Sequence, residues 1–119
     1  MDTTIEHLTE DTFAAALEHP EIVVIDFWAA RCGARRALAS EFEQAAARRP
    51  NHRFAKVDVD REPALARRYV IRSIPTLLVF RDGALLAARS GVVGTDELVE
   101  ALDRVAAATV DAAAAMVSA

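Results

Sequence analysis

Ile22-Val23-Val24-Ile25-Asp26-Phe27-Trp28 runs straight into Ala29-Ala30-Arg31-Cys32-Gly33-Ala34-Arg35-Arg36, and the fold turns on this join. Seven residues that are apolar apart from one carboxylate need cover on both faces, so they read as a central, buried strand. Beyond Gly33 the pattern changes to a helical one. Leu38, Phe42, Ala45 and Ala46 recur at i, i+4, i+7 and i+8, an apolar stripe that ends at Arg48-Arg49-Pro50-Asn51. A buried strand handing over to a long helix is the first half of a βαβ unit.

Working outward, Thr9-Glu10-Asp11-Thr12 reads as a helix start, with Phe13, Ala16 and Leu17 as its stripe before His19-Pro20. Thr3–Ile5 is expected to open the chain as a short strand. Phe54–Val59 reads as a strand, and Pro63 suits the first turn of a short helix reaching Tyr69. Thr76–Phe80 is a further strand, Arg81-Asp82-Gly83 a hairpin turn, and Ala84–Arg89 the returning strand. Gly94-Thr95-Asp96-Glu97 caps a last helix carrying Leu98, Val99, Leu102, Val105 and Ala106 on one face. Right-handed crossovers make the early strands parallel, and the late hairpin adds antiparallel ones. The expected architecture is α/β, a mixed sheet of four to five strands with helices on both faces.

The chain has 119 residues, enough for one domain with its own core. Of its apolar residues 26 are Ala, which favours helices. A net charge of −4 argues against a dedicated nucleic-acid binder. No apolar run approaches the roughly 18 residues of a membrane span. The acidic, polar opening MDTTIEH does not read as a secretory leader, so a cytoplasmic setting is expected. One cysteine excludes an internal disulfide and a Cys-rich zinc site. His7, His19 and His52 show no ligand spacing and read as surface residues, and no metal or other cofactor is expected.

Asp26 to Arg36 resembles the active-site segment of the thioredoxin family, whose pattern is D-F-W-A-x-W-C-G-P-C-K. Ile71-Arg72-Ser73-Ile74-Pro75-Thr76-Leu77 looks like that family's second signature, which holds a cis-proline facing the active site. Phe80-Arg81-Asp82-Gly83 and Gly91 fall where the family has its hairpin and a glycine. The resemblance covers about residues 5–108. It implies a thioredoxin-like domain over 1–108, with 109–119 a helical extension or frayed tail. It also implies thiol–disulfide exchange on protein disulfides or thiols, with Cys32 as nucleophile. Asp26 would be the buried acid that moves a proton, and Trp28 and Lys56 would support the site. Substrate would meet Arg31, Gly33, Ala34, Ile74, Pro75 and Gly91. Ile74 would offer backbone groups to an extended peptide.

The chain departs from the pattern where the chemistry is decided. Arg35 stands at the second, resolving cysteine, Arg31 at the tryptophan, Ala34 at the intervening proline and Ser40 at the helix proline. One sulfur can be loaded but cannot unload itself, so Cys32 implies a monothiol site resolved by an external thiol. A helix start and the Arg31, Arg35 and Arg36 cations favour a thiolate at Cys32 and would attract an anionic low-molecular-weight thiol. Asp26, having lost its proton-transfer target, is expected to pair with Lys56 or Arg35. Two alternatives stand beside this reading. One is a redox-inactive binding module, and the other is an ordinary member of the family altered within ten residues. A monomer is expected.

Overall fold

Strand β2 (Val23–Trp28) lies at the centre of a five-stranded sheet with the order β1-β3-β2-β4-β5. The computed structural model describes residues 5–33 and 35–118, with the backbone alone for Arg35 and residues 109–118. β3 (Arg53–Asp58) runs parallel to β2, aligning Val23 with Arg53 and Asp26 with Lys56. β4 (Thr76–Arg81) runs antiparallel on the other side, aligning Phe27 with Thr76. β5 (Ala84–Ser90) returns from β4 through Asp82-Gly83, whose φ values of 52° and 78° are those of a tight left-handed turn. The opening strand β1 is Glu6–His7, parallel to β3, so it falls later than the expected Thr3–Ile5. Thr3 and Thr4 lie outside the described residues.

Alternation along β2 divides the core in two. Ile22 and Val24 face a layer with Leu38, Phe42, Phe54, Leu98 and Leu102, built by α2 (Arg35–Arg48) and α4 (Thr95–Ser118). Val23, Ile25 and Phe27 face the opposite layer, where α1 (Glu10–Ala16) contributes Phe13 and α3 (Pro63–Arg68) contributes Leu65. Every β2 residue from Val23 to Phe27 is buried, which explains an apolar run interrupted by Asp26 alone.

Helix termini follow their local chemistry. The backbone N–H of Thr9 donates to Thr12 Oγ1 at 2.9 Å at the start of α1, and Pro63 occupies the first turn of α3. Arg49, just past α2, makes a two-pronged ion pair with Asp103 of α4, with N–O distances of 2.8 and 2.7 Å. α4 continues as one helix from Thr95 through residues 109–118.

His52 corrects the surface reading of the histidines. It is buried, and its Nδ1 accepts the Ile22 backbone N–H at 3.4 Å. The bond satisfies a main-chain donor just ahead of β2, and burial lowers the His52 pKa. His19 is half-buried, with Nδ1 accepting the Glu21 N–H, while His7 is exposed and lies edge-on to Trp28.

Candidate functional site

The site forms where β2 ends. Ala29 is buried, and the Cys32 backbone N–H donates to its carbonyl at 3.0 Å, turning the chain ahead of α2. Cys32 therefore sits three residues before the first residue of α2, which is Arg35. Its side chain is half-buried rather than fully exposed. The thiol donates to the Ile74 carbonyl oxygen with Sγ–O 3.6 Å, joining two segments 42 residues apart. Ala34 lies outside the described residues, and Arg35 is placed by its backbone only.

The Ile74–Pro75 peptide bond is cis. Pro75 is anchored from the hairpin side, where the Gly91 N–H donates to the Pro75 carbonyl at 2.9 Å. Gly91 has φ 88°, a conformation that favours glycine. Thr76 Oγ1 donates to the Ser73 carbonyl at 2.6 Å, and Ser73 and Ser90 join through their hydroxyls at 3.2 Å. These hydroxyls fix the loop that faces Cys32. Sequence reasoning missed Ser73 and Ser90, although their register beside β4 and β5 carries the signal.

Asp26 and Lys56 are lateral neighbours in β2 and β3, and Lys56 is half-buried. No ion pair joins them among the described residues. The Lys56 charge acts on Asp26 at longer range and opposes the dominant effect, burial, which raises the Asp26 pKa from 3.8 to about 6. Direct pairing with Lys56 is thus reduced to a through-space attraction, and the Arg35 side chain, the other expected partner, lies outside the described residues. A cavity of about 110 Å³ separates Asp26, Trp28, Ala39, Lys56 and His7. Asp26 Oδ1 and the Trp28 indole N–H are both buried without a protein hydrogen-bond partner.

Arg31 is exposed but ion-paired. Its Nε and an Nη meet the Asp60 carboxylate at 3.3 and 3.4 Å, and the Asp60 N–H is held by Asp58 Oδ1 at 2.9 Å. Asp60 is a third residue that sequence reasoning left unused. This pair helps to line a groove of about 340 Å³ that also takes in Ile74, Ile71 and Ala66 of α3. No group of three or more His, Cys, Asp or Glu side chains able to hold a metal occurs among the described residues. No described helix is long and apolar enough to cross a membrane.

The thioredoxin family model matches residues 4–104. Thioredoxin of Mycoplasmoides gallisepticum is 41% identical over 80 residues, 67% of this chain and 80% of that protein. Thioredoxin C-3 of Corynebacterium nephridii is 36% identical over 98 residues, 82% of this chain and 68% of that protein. The crystal structure of chloroplastic thioredoxin z superimposes with a TM-score of 0.80 at 24% identity, covering 90% of this chain and 98% of that one. A five-stranded mixed sheet, a cysteine at the β2–α2 join and these matches lead to one conclusion: the chain belongs to the thioredoxin family.

Proposed function

We propose that this protein exchanges thiols and disulfides through Cys32 alone, as a monothiol site acting on protein or low-molecular-weight disulfides. The observation that carries the reading is Cys32 Sγ, half-exposed and 3.6 Å from the Ile74 carbonyl, in a chain with no second cysteine. The Cys32 thiolate attacks one sulfur of a disulfide, whose other half leaves as a thiolate. An external thiol then attacks the mixed disulfide and frees Cys32. Ile74 and Pro75, with Gly91 behind them, form the wall against which the partner's sulfur is aligned. Asp26 is a buried acid near neutrality whose proton has no resolving thiol to serve, because Arg35 begins α2 at that place. Resolution by a small thiol in a cytoplasmic setting, by a monomer, completes the reading.

The test is mass spectrometry after exposure to an oxidised small thiol. One adduct on Cys32, absent from Cys32→Ser, is the expected result. An unmodified parent chain would favour a module that binds partners without exchange.

A further inference from the structure

Among the described residues, eight arginines form ion pairs with carboxylates, and Arg31 at the site is one of them, held by Asp60. Arg67 and Arg72 form none among the described residues, both are exposed, and both line the groove that starts at Ile74 beside Cys32. Arg67 lies on α3, and Arg72 lies two residues before Ile74. Because Arg31 and Asp60 cancel, these two leave the groove cationic on a chain whose net charge is −4. The apolar surface of Val59, Ala66 and Ile71 lies between the charges. At about 340 Å³ the groove is of a size for a small molecule, near the lower end of the usual range of such sites.

We propose that Arg67 and Arg72 are specificity-determining residues that select low-molecular-weight peptidic thiols and disulfides bearing carboxylates. The inference rests on the exchange reading and names its substrate class. The ligand's sulfur meets Cys32 while its carboxylates pair with the two guanidinium groups, whose planar forks can bind a carboxylate through two N–H donors. In the loading step the S–S bond of the small disulfide breaks, a Cys32–S bond to one half forms, and the other half leaves as a thiolate. In the resolving step a second small thiolate takes the outer sulfur, restoring the small disulfide and the Cys32 thiolate. No net oxidation is required, and the same two arginines serve both steps.

The experiment measures the rate of adduct formation on Cys32 with three disulfides: oxidised glutathione (anionic), 2-hydroxyethyl disulfide (neutral) and cystamine (cationic). The parent is compared with the Arg67→Gln/Arg72→Gln double variant and with Arg104→Gln, an exposed site on α4. Loss of two surface charges should slow the glutathione reaction roughly fivefold to tenfold, leave the neutral reagent unchanged and speed cystamine. About 1 M salt, which shortens the screening length to ~3 Å, should erase the difference. Arg104→Gln should behave as the parent. Equal rates in parent and double variant for all three reagents, or an equal fall for all three, overturns the selection by Arg67 and Arg72 while exchange itself stands. No adduct with any reagent on the parent overturns exchange and the inference together.

Discussion

At the residue scale, Asp26 carries the clearest energetic consequence. Its carboxyl is buried in β2 with Oδ1 unpartnered, and its pKa rises to about 6. A group raised in the folded state stabilises the fold while protonated. That contribution is whole below about pH 4 and is lost as pH rises through about 6. Asp26→Asn should therefore stabilise the protein by about 2–3 kcal/mol at pH 8 and by little at pH 4, read from urea midpoints at the two values. A variant less stable than the parent at pH 8 would mean that the carboxylate finds a partner when ionised. Asp26 was legible in the sequence as a costly carboxylate inside an apolar strand. That no direct ion pair joins it to Lys56 was not, because strand register puts Lys56 alongside without saying how the two side chains reach.

At the element scale, α2 and the β4–β5 hairpin hold the two halves of the site. Phe42 on α2 is fully buried and meets Phe54 of β3 edge-to-face, with ring centroids 5.3 Å apart. Phe42→Ala should cost about 3–5 kcal/mol, measured by denaturant unfolding, because little around it can collapse into the space. A loss below about 1 kcal/mol would contradict the packing of α2 against β3. Gly83, with φ 78°, should cost about 1 kcal/mol on replacement by Ala through backbone strain rather than lost contacts. These elements were readable because the period changes from continuous apolar to 3.6 at Cys32, and because Asp-Gly between apolar runs specifies a turn. The start of β1 was not readable, since two paired residues leave no periodicity. Nor was the burial of His52, whose role as acceptor for the Ile22 N–H depends on a contact 30 residues away in the chain.

At the scale of the whole molecule, the fold brings together what sequence spacing leaves apart. Cys32 and Ile74–Pro75 were expected to meet because their flanking motifs resemble one family, and the antiparallel alignment of Phe27 with Thr76 brings the two segments side by side. The Arg31–Asp60 pair and the cationic groove of Arg67 and Arg72 were hidden. Charges scattered over forty residues acquire a common direction only once α3 folds against the sheet. Supplying a resolving thiol with Arg35→Cys should give the molecule dithiol turnover that the proposed monothiol site does not support, measured with insulin as disulfide substrate, although Ala34 and Arg31 should keep its rate below that of a family member with the full motif. The parent, with one thiol, should accept electrons from no disulfide reductase, because it forms no internal disulfide to be reduced. The most direct test is a coupled assay of the unmodified chain with thioredoxin reductase, NADPH and insulin, run beside mass analysis of Cys32 with an oxidised small thiol. The account predicts NADPH consumption at background and a single adduct on Cys32. Sustained reductase-dependent insulin reduction by the unmodified chain would contradict it.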